Sequence, residues 1–167
     1  EAVVVSLMNG IAPARQVSDA LPGRTVLAGM VPFNVVWSGT STLQRASLGN
    51  LALTEHPATR QLATLVAQSG APIDLHTDLA PLQHGKLLLN LINPINALSG
   101  LTLHEMLSQR AWRRIYAASV REALTVLAAT DTPWVNAGPF SPRMASQLLT
   151  LPDWLFNATI LKSQKIT

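Results

Sequence analysis

Lys86, Asn90 and Asn93 follow one another at intervals of four and three residues in the stretch GKLLLNLINPINALSG, residues 85–100. At about 100° per residue they fall at roughly 0°, 40° and −20° around a helix, inside one narrow stripe that can face a single ligand. Asn96 lies about 80° from Lys86 on the same count and does not join them. A lysine with asparagines on one stripe suits the reduction of a carbonyl. The ammonium holds the carbonyl oxygen and gives it a proton as hydride reaches the carbon, and burial lowers the lysine pKa toward the working pH. Asparagine offers a donor and an acceptor to hydroxyl and carboxylate oxygens without adding charge. A plainer account of the same residues is a lysine whose head reaches solvent from an amphipathic helix, with asparagines as caps or helix–helix bonds. On residue types alone that account is the commoner one. Pro94 takes away a backbone donor and clashes with the Asn90 carbonyl, so a kink or a fresh helix start is expected there, with Asn93 as candidate cap. In the second case the angle given for Asn93 no longer holds.

Asn9-Gly10 is the other candidate position. It ends the run AVVVSLMNG, which has the composition of a strand buried on both faces, over residues 3–8. Ligands of open α/β sheets bind beyond the carboxyl ends of strands, where Asn9 would stand; an ordinary Asn-Gly turn explains the dipeptide equally simply. The histidines at 56, 76, 84 and 104 are too dispersed for a metal-ligand motif, and Asp74 and Asp78 make no carboxylate dyad. With no cysteine there is no disulfide, thiolate nucleophile or zinc-thiolate site, which fits a reducing compartment, by default the cytoplasm.

The elements that must carry these residues change character midway. Residues 11–23 form a short helical pattern with Pro13 at its start and Pro22-Gly23 at its stop, and residues 25–54 alternate β-branched and aromatic residues with Gly, Ser, Thr and Asn, as three or so short antiparallel strands would. A helix over 57–69 and a strand over 72–77 follow. From Asp78, a candidate N-cap, the pattern is helical: 79–98, a short amphipathic piece at 103–110, and a long helix over 109–131 with Trp112, Ile115, Tyr116, Ser119, Ala123, Val126 and Leu127 on one face. A Pro/Gly-rich loop at 132–143 leads to a further helical segment at 144–162. The fold class is therefore α/β followed by all-α, divided at 77/78, with a cleft expected between two domains.

The 167 residues are 48% hydrophobic, 13% charged and +3 in net charge, ample for a folded core. The basic residues are scattered and do not interleave with aromatics, which argues against nucleic acid, and no run reaches the roughly 18 uncharged residues of a membrane span.

In order along the chain, VVVSLMNG, GRTVLAGMVPFNVVWSG, HGKLLLNLINPINAL and YAASVREALTVLAA resemble the ketopantoate reductases, the 2-dehydropantoate 2-reductases of the pantothenate pathway. The resemblance implies the C-terminal part of a Rossmann-like NADP-binding domain with antiparallel strands over 1–77, then a partial helical domain like that of 6-phosphogluconate dehydrogenase over 78–167. It implies NADPH as cofactor and a 2-keto acid bound between the domains. It also implies Lys86 as general acid and substrate ligand, Asn90 as a substrate contact and Asn9 near nicotinamide and substrate. Asn93 matches less directly, because the family's second helix asparagine stands where this chain has Pro94. No G-x-G-x-x-G is present, and the serine and glutamate that the family uses for substrate lie beyond ILKSQKIT, Ser163 falling too early. On this resemblance the chain is an internal piece of a reductase, with more protein expected before Glu1, and binds NADPH poorly by itself. Two alternatives stay open: reduction of another 2-keto acid, and a non-catalytic interaction domain in which 79–98 and 108–131 pack on a partner. The apolar breadth of the helices would suit a homodimer.

Overall fold

A computed structural model describes residues 2–45, 49–137 and 140–162, and Ser163 lies outside them. Its first unit, residues 1–83, is built on a four-stranded sheet. In chain order the elements are β1 (Val4–Ser6), α1 (Pro13–Ala20), β2 (Val26–Met30), β3 (Val35–Ser38), β4 (Thr42–Arg45), β5 (Leu51–Thr54), α2 (Pro57–Val66) with a 3-10 turn at Ala67–Ser69, and β6 (Ile73–His76). The strand order is β1-β2-β5-β6. β1 runs parallel to β2 with Val4 opposite Val26, β2 antiparallel to β5 with Gly29 opposite Leu53, and β5 parallel to β6 with Leu51 opposite Ile73.

Four strands occupy the region where three or so were expected, because β3 and β4 leave the sheet as their own antiparallel ribbon. Its turn passes through Gly39 at φ +73°, a conformation that glycine adopts without strain. β1 is shorter than the apolar run that suggested it and is not buried on both faces. It stands at an edge of the sheet; Val4 and Val5 are half-buried, and Leu7 and Met8 beyond it are exposed. Met30, Ala52 and Leu79 form the small core of this unit, with Ala28 and Leu82 against it. His56 is a helix cap: its Nδ1 accepts from the Ala58 N–H at 3.2 Å while its own N–H donates to Thr59 Oγ1 at 2.9 Å, which gives this histidine a structural task.

The second unit, residues 84–167, is helical. α3 (Ala80–Asn90) begins in the first unit and continues into it, followed by α4 (Ile92–Ser99), α5 (Leu103–Ser108), α6 (Arg110–Ala129), α7 (Pro142–Leu148) and α8 (Asp153–Phe156), which runs on as a π-helical turn, Asn157–Leu161. Asp78 caps α3 as its sequence position suggests, accepting from the Ala80 N–H at 3.0 Å. α5 opens on a reciprocal cap, Glu105 N–H to Thr102 Oγ1 and Thr102 N–H to the Glu105 carboxylate, and these bonds hold the Glu105 pKa below the usual range. The segment 144–162 is not one helix: Pro152 turns Leu151 away from helical geometry and a new helix starts at Asp153.

Ile95, Met106, Leu107, Tyr116, Ala117, Val120, Leu149, Phe156 and Leu161 make the core. The buried face of α6 is rotated from the expected one. Arg113, Tyr116, Ala117 and Val120 point inward, whereas Ile115 and Val126 are 48% and 55% exposed. Arg113 explains the rotation, for its fully buried guanidinium has partners on every side. Nε donates to the Leu149 carbonyl at 3.1 Å, Nη1 to Leu107 at 2.8 Å and Nη2 to Leu151 at 2.7 Å; Nη1 also pairs with Asp153 at 2.9 Å. The group stacks 4.1 Å from the Phe156 ring centroid. Carbonyls left over at the ends of short helices thus find donors from one planar fork.

Candidate active site

α3 supplies the lysine and its first asparagine. Lys86 and Asn90 lie one turn apart on that helix, both half-buried, so the stripe expected from their spacing exists for this pair. Burial disfavours the charged ammonium and lowers the Lys86 pKa from its ordinary 10.5. That is the direction a proton donor working near neutrality needs.

The break expected around Pro94 comes just before it. Leu91 still donates to the Leu87 carbonyl at 3.1 Å, and α4 starts at Ile92. Leu91, at φ −58° and ψ −18°, takes the cap position without a side-chain bond, so Asn93 is not the cap. Pro94 falls in the first turn of α4, where a missing N–H costs nothing. Asn93 is exposed and belongs to a different helix from Lys86 and Asn90, which removes the basis of its angular assignment. Asn96 has a structural task, its side-chain amide donating to the Leu101 carbonyl at 3.0 Å beyond the end of α4.

Asn9 is in the first unit, three residues beyond β1, and is exposed; Gly10 at φ +104° makes the turn after it. The chain end of the parallel pair β1-β2 thus carries a polar side chain where open α/β sheets present ligands. Among the described residues no glycine-rich turn leads from a strand into a helix N-terminus, and α1 starts at Pro13 with no side-chain cap bond, so these residues do not fit the pyrophosphate of a dinucleotide. Among the described residues no cluster of three or more His, Asp or Glu could hold a metal ion, and no helix is long and apolar enough to cross a membrane.

Gly85 and Tyr116 meet α3 beside the lysine, and neither they nor Arg113 were given a task by the sequence pattern. Gly85 is buried in mid-helix, and a Cβ built on it would overlap the Val135 carbonyl. An interior helix glycine is a signal of close backbone approach, and here it could have been read as one. Tyr116 donates from its hydroxyl to the Leu89 carbonyl at 3.3 Å, and burial pushes its pKa up to about 12. It also lines an apolar cavity of about 220 Å3 with Leu89, Ile92, Phe140, Leu149 and Phe156. Arg113 gave no signal, since an arginine in a polar pair with Arg114 looks like solvated surface.

No curated protein sequence matches the chain. Over residues 78–156 it matches the family model described as ketopantoate reductase PanE/ApbA C terminal. This segment belongs to the ketopantoate reductase family. Lys86 and Asn90 both lie inside the matched ketopantoate reductase domain, and Asn9 lies outside it. A PanE/ApbA family ketopantoate reductase from Ralstonia eutropha is similar in fold, with TM-score 0.70 at 21% identity over 87% of this chain and 48% of its own. A dimeric ketopantoate reductase from Staphylococcus aureus gives 0.65 at 22% identity over 98% of this chain and 56% of its own. A D-mandelate dehydrogenase in complex with NADH gives 0.65 at 16% over 89% and 50%. At these identities the structural likeness shows a shared fold alone, and the chain spans about half the length of these proteins.

Proposed function

We propose that the chain provides the substrate-binding and proton-donating part of an NADPH-dependent reductase that converts 2-dehydropantoate to pantoate. The observation that carries this is the Lys86–Asn90 pair: one turn apart on α3, half-buried, inside the segment that matches the ketopantoate reductase domain. When bound, a reduced nicotinamide would supply the hydride for the C2 carbonyl carbon. Lys86 holds the carbonyl oxygen as an ammonium, gives it a proton as charge builds there, and is left neutral until solvent reprotonates it. Asn90 donates to an oxygen of the substrate from the next turn, and Asn9 serves the nicotinamide end of the cofactor. Asn93 is kept as a peripheral substrate contact only, given its exposure.

Reduction of a different 2-keto acid by the same lysine is the second reading, favoured by the D-mandelate dehydrogenase among the similar folds. A substrate panel separates the two. With NADPH and a protein that carries this chain together with a nucleotide-phosphate-binding segment, kcat/KM for 2-dehydropantoate should exceed that for phenylglyoxylate and for unbranched 2-keto acids by at least about tenfold, which is about 1.4 kcal/mol of selectivity. A preference for phenylglyoxylate would move the assignment to the second reading. No reduction of any 2-keto acid would leave the helical unit as a non-catalytic interaction domain.

A further inference from the structure

α3 holds a glycine immediately before Lys86, in a position where alanine is ordinarily favoured by about 1 kcal/mol. The reason is a loop. A Cβ at Gly85 would overlap the Val135 carbonyl oxygen, with the carbonyl carbon at 3.0 Å and the Ala137 Cβ at 3.6 Å. One residue earlier, His84 Nδ1 lies 2.9 Å from the Pro133 carbonyl oxygen; that oxygen can only accept, so Nδ1 carries the hydrogen. The segment following α6 therefore meets α3 through two backbone carbonyls, one hydrogen-bonded to His84 and one lying against Gly85, the two residues that precede Lys86. Neighbouring positions of a helix are about 100° apart, so gripping two of them fixes the rotation of the helix about its axis as well as its position.

We propose that residues 133–137 act as a strap that aims Lys86 by clamping α3 at His84 and Gly85. His84 and Gly85 are positioning residues on this proposal, which rests on the assignment of Lys86 as the acid. Glycine at 85 is required because only a residue without Cβ lets the Val135 carbonyl lie against the helix. With the strap seated, Lys86 keeps both its direction and its partial shielding from water. Residues 132–137 carry no ionisable side chain, and His84 is the only ionisable group on α3 besides Lys86. A displaced strap therefore alters Lys86 through solvation and direction, with no charge added or removed nearby.

The test is the titration of Lys86 in the 167-residue chain, read from its 13Cε resonance against pH, in the native protein and in Gly85→Ala, His84→Ala and Val120→Ala. Val120 is buried in the helical core and serves as the control for lost stability. Gly85→Ala should raise the Lys86 midpoint toward the ordinary lysine value, because the lysine regains water. His84→Ala should move it the same way by less, and it carries the test alone if Gly85→Ala does not fold. Val120→Ala should lower the Tm and leave the midpoint in place. Unmoved midpoints in the folded strap variants overturn the proposal, as does an equal movement in Val120→Ala. The titration needs no turnover, so it stands apart from the acid role: reduction undiminished by Lys86→Ala would overturn that role and leave the strap result intact.

Discussion

A lysine held half out of water has two measurable consequences, and both follow from the lowered pKa of Lys86. The folded state binds the proton less tightly than the unfolded state, so stability rises with pH between the lowered folded value and the ordinary 10.5. Lys86→Met should remove that rise and leave the Tm at neutral pH unchanged or slightly higher, as thermal melts between pH 7 and 10 would show. Activity runs the other way: only the ammonium can donate, so kcat should fall as pH climbs through the lysine pKa. Arg113 behaves differently, because its charge is tied to three carbonyls and a carboxylate. An ammonium cannot meet the Leu107, Leu149 and Leu151 carbonyls at once, so Arg113→Lys should cost about 3 kcal/mol in urea unfolding. A loss under about 1 kcal/mol would mean that water replaces the lost donors. Lys86 and Asn90 were legible in the sequence because helix spacing alone puts them on one stripe. Arg113 was not, because nothing local distinguishes a solvated arginine from one that caps carbonyls contributed by residues some 36 to 38 positions away.

The elements depend on where short helices end. Tyr116 ties α6 to the last turn of α3 through the Leu89 carbonyl, close to the break that Pro94 causes. Its hydroxyl is neutral in the fold up to about pH 12 and ionises near 10 when unfolded. Stability contributed by the neutral form is complete below pH 10 and is lost as pH rises from there through 12. Tyr116→Phe should therefore lower stability near pH 7 by about 1 kcal/mol, through the orphaned carbonyl, and flatten the alkaline loss expected of the native protein above pH 10. Denaturation midpoints at pH 7, 10 and 11 would check both halves. The strand and helix types were readable from apolar periodicity, whereas the inward face of α6 was misjudged because periodicity weighs residues by type and counted Ile115 and Val126 as core in place of Arg113. The separate β3–β4 ribbon was likewise hidden, since alternation marks a strand without saying which sheet it joins.

At the scale of the whole molecule, the β-rich start and helical continuation were visible as a change of composition near Asp78, where the family match begins, while the two compact units divide a few residues later, between Gln83 and His84 within α3. The pyrophosphate of a dinucleotide finds no fitting residues among those described. The 167-residue chain by itself should therefore bind NADPH weakly, with no saturation of NADPH fluorescence at micromolar chain; saturable micromolar binding would contradict the assignment of Asn9 to the nicotinamide end only.

The proposed proton-donor role of Lys86 is tested most directly by steady-state reduction of 2-dehydropantoate by a cofactor-competent protein bearing Lys86→Ala. The expected result is a fall in kcat of about 100-fold or more, with NADPH affinity within about twofold of the native protein. A native-like kcat in Lys86→Ala would contradict the account.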